Sequence, residues 1–490
     1  MCDNFKKTIT HMRPDRIFLL CAEWFLGGIL AWSQASAPLA LTGATVIDLS
    51  NWGNSAADIP NAVVLVENGK ITDVGTASTL PVPKGARIVE CTGKFIIPGL
   101  IDGFVGINTQ GDASASLYMG VTTAVVRADN RRGRIDFAAN PAPHFYVIDS
   151  IGTTDNWSRL IGHNGWTARL REMGRPVELN PDETVRQFAD TAKLGTRVLF
   201  LGRDLTAANT QWIISRAHQM GIVTYGEFAA TPYTVGIEAG VDALVHMGRY
   251  ELGVIPDELQ RPLAANPTGA SASTAYDYAE RLPPSDAHVA IYARFIASHH
   301  AALMPMFAEF YLRLPAHRNL FKEPAAALLD PAHMFDPPDP KTGEMVYPLS
   351  SFAHRLPGFA QRYTEANLQR KAEQSAMRLW KINQALFMAY PHYLAASGAS
   401  VSGSFPGISL HVELEMLVRL GLTPREAIAA ATSNYAQQLN WNELGLIAPG
   451  RRADILVLDA DPTLNVWNAR RISTLILDGN LIDREALLKR

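Results

Sequence analysis

The sequence predicts an α/β protein whose centre is a TIM-type (β/α)8 barrel, joined to a small composite β-sandwich module made from both ends of the chain. The middle of the chain alternates short apolar runs with helix-like segments, which is typical of βα units. Eight such runs match the eight strands that a TIM-type barrel needs. Both ends of the chain are rich in β-branched runs broken by turn residues. The 490 residues are enough for one large barrel and one smaller module.

The barrel is expected over residues 99–442. Helical patterns separate its apolar runs, and one of them, over 208–221, ends at Gly221, a typical residue for the end of a helix. Two insertions are expected at about 250–290 and 308–390, and the second holds an amphipathic helix from Glu365 to Ala389. Either insertion can be a lid over the active face or a solvated appendage. The eight candidate strands are FIIPGLIDGFVGI, GVTTAVVRA, HFYVIDS, TRVLFLGRD, GIVTYGEF, DALVHMG, AALMPMF and ASVSGSF.

The β-module is expected over residues 38–98 and 443–490. Asn68-Gly69 stands between two β-branched runs, which is a strong hairpin signal. Cys91 lies in the strand-like stretch RIVECTG and is interpreted as a small buried residue rather than a nucleophile. Because Cys2 and Cys21 fall in the first 37 residues, the mature chain would keep one cysteine and no internal disulfide.

The first 37 residues have the layout of a secretory signal peptide. Lysine and arginine residues precede the mostly apolar run 17–32, and Ala35-Ser36-Ala37 offers a cleavage position. The alternative is an uncleaved anchor, but the run is shorter than the ~20 residues a spanning helix needs, and Glu23 interrupts it. We therefore expect a periplasmic or secreted protein with no stable membrane span after cleavage.

Composition limits the partners that the chain can have. The net charge of -3 gives no attraction to nucleic acid, and no cluster of basic residues interleaved with aromatic residues is found. A small-molecule substrate or ligand is the expected partner, and a homo-oligomer remains open.

Several stretches resemble the amidohydrolase superfamily, in its imidazolonepropionase and prolidase-like branch. They include GATVID, VLVENGKITDVG and GKFIIPGLID near the start, IEAGVDALVHMG in the middle, and LGLTPREAIAAATSNYAQQLN with LGLIAPGRRADILVLDADP near the end. The resemblance implies a barrel whose mouth holds one or two divalent metals that activate a water molecule. It also implies a ligand set of a His-x-His pair, a lysine, two further histidines and an aspartate.

Most of those ligand positions hold residues that cannot bind a metal. The resemblance places the ligands at positions where this chain has Phe104, Gly106, Leu199 (or Phe200 in the neighbouring register), the stretch Tyr225-Gly226-Glu227, and Phe405. Only His246 matches a ligand position, whereas a catalytic zinc needs about three protein ligands. No metal site and no cofactor are therefore expected.

A different site is predicted at the carboxyl ends of the barrel strands, where reactive groups of such barrels gather. Glu227 and His246 end neighbouring strands and are the candidate catalytic acid/base pair; the alternative is a buried ion pair that fills a vacated metal site. Arg127 and Arg203 could clamp a substrate carboxylate, or pair with Asp129 or Asp204. Asn108 could bind substrate or cap a loop, and His163 could line the mouth. The polar residues at these ends are Asn108, Arg127, Asp149, Arg203, Asp204, Glu227, His246, Glu309 and Ser404.

The function that these observations favour is hydrolysis of carbon–nitrogen bonds, other than peptide bonds, in a small molecule, with a degenerate metal site. Two alternatives remain. The barrel can bind a small molecule or a partner protein without catalysis, or it can use Glu227 and His246 for other acid/base chemistry such as isomerisation.

Overall fold

A computed structural model describes residues 37–127, 135–136, 138–149, 195–267, 270–314, 317–329, 365–399 and 404–489. The predicted signal peptide lies outside these residues, except for Ala37, and export remains a prediction. Within these ranges, no helix has both the length and the apolar character needed to cross a membrane.

Strands from both ends of the chain form one mixed sheet, which we call the terminal sheet. Its order is β15-β14-β13-β5-β1-β2-β3, with β4 paired to β1. A single mixed sheet therefore stands where a β-sandwich was expected. Its members are β1 (Leu39–Val46), β2 (Ile59–Glu67), β3 (Lys70–Thr76), β4 (Arg87–Glu90), β5 (Phe95–Pro98), β13 (Ile455–Leu458), β14 (Ile472–Leu477) and β15 (Asn480–Ile482).

Two tight turns fix hairpins in the terminal sheet. Asn68 and Gly69 both have positive φ (49° and 76°), which the predicted hairpin between β2 and β3 requires. Asp478 and Gly479 repeat this conformation between β14 and β15, with φ of 49° and 74°. Cys91 is buried at 1% exposure, and burial raises the pKa of its thiol to about 11, so the thiol is protonated and unreactive at neutral pH.

A curled parallel sheet, the barrel sheet, forms the middle of the chain. Its seven described strands lie side by side in sequence order, so each is hydrogen-bonded to the next along the chain. Only Gly99 separates β5 of the terminal sheet from β6 of the barrel sheet. The strands are β6 (Leu100–Val105), β7 (Val121–Arg127), β8 (His144–Asp149), β9 (Val198–Leu201), β10 (Val223–Gly226), β11 (Ala243–Val245) and β12 (Ala302–Met304).

The eighth strand expected at ASVSGSF (399–405) stays a prediction, because residues 400–403 lie outside the described part of the chain. Segment 392–399 lies beside both edges of the barrel sheet. The Leu394 N–H donates to the Leu303 carbonyl at 2.9 Å, and the Gly398 N–H donates to the Phe104 carbonyl at 3.0 Å. Phe405 lies after this segment, and the residues between Ala399 and Ser404 are outside the described part of the chain.

Helices pack against the outer side of the barrel sheet, and further helices follow its strands in the later half of the sequence. The helix predicted to end near Gly221 ends at Gln219, and Gly221 has φ of +69°. The helices are α1 (Gln110–Tyr118), α2 (Ala207–Gln219), α3 (Tyr233–Glu238), α4 (Asp257–Ala265), α5 (Ala270–Arg281), α6 (Ala287–His299), α7 (Glu365–Ala389), α8 (Ile408–Leu420), α9 (Pro424–Ala430), α10 (Ser433–Leu439) and α11 (Arg484–Leu487).

Helix α7 is integrated into the core, which argues against a merely solvated appendage. Leu379, Ile382 and Leu386 on one of its faces are buried. Trp380 packs against Phe307 with ring centroids 5.0 Å apart. Asn383 is fully buried and hydrogen-bonds to the segment that follows β11, described below.

Alternating side chains divide the barrel sheet into an inner and an outer surface. Phe200 packs with Tyr225 and Val245 in the inner cluster, whereas Leu199 packs in the outer cluster with the helices. Because successive residues of a strand point to opposite faces, this settles the register of β9. Phe200, not Leu199, faces the interior at the position where the resemblance places a lysine.

Candidate active site and metal site

Glu227 and His246 meet at the carboxyl edge of the barrel sheet. Glu227 follows β10, and its N–H donates to the Leu201 carbonyl of β9 at 2.9 Å. His246 follows β11, and its N–H donates to the Met304 carbonyl of β12 at 3.0 Å. Since β10 and β11 are adjacent and parallel, their ends bring the two side chains together.

The two side chains form the centre of a charged cluster, which we call the mouth cluster. His246 Nδ1 lies 3.0 Å from Glu227 Oε2. On the other carboxylate oxygen, Oε1, Arg249 Nε approaches to 3.2 Å and Arg203 Nε to 3.6 Å. Arg203 thus belongs to the predicted site, where its guanidinium group lies beside the Glu227 carboxylate.

The surroundings of Glu227 keep its carboxylate ionised. Burial alone would raise the pKa of this carboxyl group, but the charges of His246, Arg249 and Arg203 outweigh burial and lower the pKa to about 2. A carboxylate that is so acidic is a weak proton acceptor at neutral pH. Glu227 is therefore suited to orient the imidazole ring of His246, and His246 is the member of the pair that can accept a proton.

The backbone around His246 is held in an uncommon conformation. His246 has φ of +66°, in the left-handed region that non-glycine residues rarely adopt. Two residues later, the Gly248 N–H donates to Glu251 Oε2 at 2.6 Å. The Asn383 amide of α7 donates to Glu251 Oε1 at 2.7 Å. The insertion helix therefore helps to fix the loop that carries the histidine.

Aromatic rings and a second carboxylate surround the other side of the imidazole. Phe104 and Phe200 meet the His246 ring edge to face, with centroids 5.2 and 6.4 Å away. His246 Nε2 lies 3.9 Å from Glu309 Oε1, beyond hydrogen-bonding distance but close enough for charge interaction. One imidazole nitrogen faces Glu227 and the other faces Glu309.

The metal set that the resemblance implies does not fit this edge of the sheet. Phe104 and Phe200 stand in the interior where ligands were expected, and neither side chain has a donor atom. Glu227 and Glu309 are the carboxylates that lie beside the His246 ring, and Glu227 is already paired with two guanidinium groups. No family-type metal site is rebuilt in this part of the described chain.

The expectation that the chain has no metal or cofactor site was nevertheless wrong. His144, Asp454 and Asp478 each offer a ligand atom, and the three atoms lie within 4.8 Å of one another. His144 begins β8, so this cluster lies at the amino end of the barrel strands, opposite the predicted mouth. It was missed because its residues come from three distant parts of the sequence.

The other predicted substrate-binding residues have mixed outcomes. Asn108 donates its backbone N–H to Asp112 at 2.8 Å in the turn that begins α1, where Thr109 is the capping residue. Arg127 ends β7, but its side chain is outside the described atoms. His163 lies outside the described residues as well.

Sequence reasoning did not single out Arg249, which the structure places on Glu227. The only signal was its position three residues after His246, in a loop that follows a barrel strand. Glu309 was recognised as a strand-end residue but was given no role, although it is the carboxylate nearest to His246 Nε2 among the described side chains.

Comparisons with known proteins agree with this architecture. Residues 395–482 match the sequence model of the amidohydrolase family. An imidazolonepropionase from a Geobacillus species is 22% identical over 455 residues, which cover 88% of this chain and 92% of that protein. These matches support membership of the amidohydrolase superfamily.

A second relative and a solved structure extend the comparison. Adenine deaminase 2 from Agrobacterium fabrum is 54% identical over 56 residues, which cover 11% of this chain and only 9% of that protein. The crystal structure of a Xaa-Pro dipeptidase with bound methionine has a TM-score of 0.59 at 14% identity, covering 91% of this chain and all (100%) of that one. At such low identity, the structural likeness shows the fold alone.

Proposed function

We propose that this protein hydrolyses a carbon–nitrogen bond, other than a peptide bond, in a small molecule bound at the mouth cluster. The observation that carries the proposal is the 3.0 Å contact between Glu227 and His246 Nδ1 at the carboxyl edge of the barrel sheet. Both side chains are mostly buried, at 13% and 20% exposure, so the pair works largely out of bulk water. Membership of a superfamily of hydrolases supports the reaction class.

In this proposal, His246 moves the proton and Glu227 holds the ring. His246 Nε2 accepts a proton from water while the water oxygen bonds to the substrate carbon. The carbon–nitrogen bond then breaks, and the leaving nitrogen takes the proton from His246. The ionised Glu227 stabilises the charged imidazolium between these two steps. The positive charges of Arg203 and Arg249 favour a substrate whose oxygen becomes negative during attack.

The barrel sheet supports this arrangement if it closes into a ring of eight strand-like segments. We propose that segment 392–399 is the eighth member, because it hydrogen-bonds to β12 on one side and β6 on the other. Amide hydrogen exchange tests this closure. Slow exchange of the Leu394 and Gly398 amides, comparable to that of the barrel strands, is expected. Exchange as fast as in exposed loops would contradict it.

The experiment for the function compares His246→Asn with the parent protein on cyclic amides, imidazolones and aminopurines. Asparagine tolerates a positive φ, so the backbone of the loop is kept. Loss of a general base should lower kcat/KM by roughly 100-fold or more. His288→Asn, at an exposed imidazole paired with Asp286, is the matched control and should keep full activity.

A second candidate function is supported by the aromatic packing around His246. Phe104 and Phe200 fill the interior next to the ring, as they would in a barrel that binds a ligand without turnover. Calorimetry separates the two candidates. If panel compounds bind with heat but no product forms in parent or variant, the binding function holds and the hydrolase proposal is wrong.

A further inference from the structure

We propose that His144, Asp454 and Asp478 bind a divalent transition-metal ion of the Zn²⁺ type, and that this ion fastens the barrel sheet to the terminal sheet. We call these three residues the junction site. The proposal is independent of the proposed function, because the junction site lies at the opposite end of the barrel strands from His246.

The spacing of the ligand atoms fits a metal better than hydrogen bonds. His144 Nε2 lies 3.5 Å from Asp454 Oδ1 and 3.4 Å from Asp478 Oδ2. Both distances exceed the usual N–H···O length of about 2.7–3.2 Å. Two ligands at ~2.1 Å from a tetrahedral zinc ion lie roughly 3.4 Å apart. The imidazole nitrogen is therefore separated from each carboxylate oxygen as two zinc ligands are.

The histidine nitrogen supplies a second, independent observation. His144 Nε2 is buried, and within the described part of the chain it has no hydrogen-bond partner. A buried nitrogen of this kind costs free energy unless something satisfies it. A metal ion between the imidazole and the two carboxylates would do so. One nitrogen and two carboxylate oxygens form a ligand set that suits zinc and its neighbours.

The ligands are oriented by their surroundings. Arg452 Nε donates to Asp454 Oδ2 at 2.6 Å, and Arg452 Nη2 donates to Thr123 Oγ1 of β7 at 2.6 Å. The Asp478 N–H donates to Asp454 Oδ1 at 3.0 Å. Such outer contacts orient metal-binding carboxylates. Arg452 offsets one of the two negative charges, and the ligand set keeps one net negative charge for a cation.

The site is reachable from solvent and joins three separate segments. Asp478 and Arg452 line an open cavity of about 560 Å³, which gives an ion a path to the ligands. His144 begins β8 of the barrel sheet, Asp454 precedes β13, and Asp478 lies in the turn between β14 and β15. An ion held by all three would link the two sheets.

The experiment measures metal content and stability of tag-free protein after treatment with a chelator. Adding Zn²⁺ should restore about one bound ion per chain and raise the Tm. His144→Gln and Asp478→Asn should each lower Zn²⁺ affinity by about 100-fold or more, because losing outer partners alone often costs 10–100-fold. Asp478 is half exposed, so its variant should fold even if the His144 variant does not.

Two controls separate this site from other binding. His218→Ala removes an imidazole that lies 3.0 Å from Asp242 without a third ligand, and it should leave Zn²⁺ binding unchanged. His246→Asn should also keep the ion, which distinguishes the junction site from the mouth cluster. Zn²⁺ that fails to bind the parent protein, or that binds equally to both junction variants, would overturn the proposal.

Discussion

The two ends of the barrel strands show opposite ways of balancing buried charge. At the mouth cluster, one carboxylate is shared by two guanidinium groups and an imidazole, so positive groups surround a negative centre. At the junction site, two carboxylates converge on one imidazole whose nitrogen has no hydrogen bond among the described residues. The mouth cluster therefore carries more positive than negative charge, whereas the junction site is suited to accept a cation.

This difference shows why the resemblance to the family did not predict the junction site. The family pattern directs attention to the mouth, where Phe104 and Phe200 replace ligands. The group of His144, Asp454 and Asp478 that could hold a metal lies at the other end, and the family pattern marks none of these residues as a ligand. The proposed junction site therefore places cation binding away from the positions where the resemblance places ligands.

The largest effect is expected from Glu227→Leu. Removing the shared carboxylate takes a negative charge away from two neighbouring guanidinium groups, those of Arg203 and Arg249, which should destabilise the fold by about 3 kcal/mol. Urea unfolding at pH 7 measures the change in the free energy of unfolding. A loss below about 1 kcal/mol would mean that solvent already screens the mouth cluster, and the contrast between the two ends would fail.

A smaller loss is expected from Arg452→Met at the junction site. Asp454 is buried at 6% exposure and would lose its guanidinium partner, at a cost of about 2 kcal/mol in metal-free protein. The same unfolding assay with added Zn²⁺ sharpens the comparison, because a bound cation should recover part of the loss. No recovery in this variant would show that Arg452 is needed for more than neutralising charge.

The loop that carries His246 should make stability depend on pH through Glu251. Burial raises the pKa of Glu251 to about 7, although its hydrogen bonds from Asn383 and Gly248 act in the opposite direction. The folded chain then holds a proton that the unfolded chain loses above about pH 4.5. Stability should therefore fall as pH rises from about 4.5 to 7.

Unfolding curves at pH 5 and pH 8 measure this dependence, and Glu251→Gln should reduce the difference between them. Glu227 affects stability at a lower pH and in the opposite direction. Its folded-state pKa of about 2 contributes stability that is lost as pH falls from about 4.5 to 2. An equal pH difference in parent and Glu251→Gln protein would assign the effect to another group.

The smallest effect is expected from Lys94→Ala in the terminal sheet. Lys94 Nζ lies 2.8 Å from Asp459 Oδ1, but both side chains are at least one-third exposed. Water and salt screen such pairs, so the unfolding free energy should change by less than about 1 kcal/mol. A larger decrease in the unfolding free energy would mean that the exposed fraction of an ion pair does not determine how much it stabilises this protein.

Local signals in the sequence predicted local structure well. The hairpin at Asn68-Gly69 was predictable because both residues adopt positive φ readily, and the structure confirms it. The barrel strands β7 to β12 fall within the predicted runs. The strand ends also brought Glu227 beside His246, since adjacent parallel strands place their carboxyl ends at one edge.

Features that depend on distant contacts were not predictable. The register of β9 needed the packing of Phe200 in the interior. Segment 392–399 was not predicted to lie beside the barrel sheet, because HYLAASGA is rich in alanine and carries no strand signal. The junction site joins residues whose proximity exists only after the terminal sheet has docked against the barrel sheet.

The single residue between β5 and β6 connects the terminal sheet directly to the strand that leads to the mouth cluster. Gly99 leaves no flexible linker between the sheets, and its N–H donates to the Asp454 carbonyl at 2.8 Å. Rotation of the terminal sheet must therefore be absorbed at Gly99 or displace β6. Phe104, near the far end of β6, packs against His246. The hydrogen bond at Gly99 and the contact between Phe104 and His246 thus lie near opposite ends of β6, so this one strand connects the junction site with the imidazole.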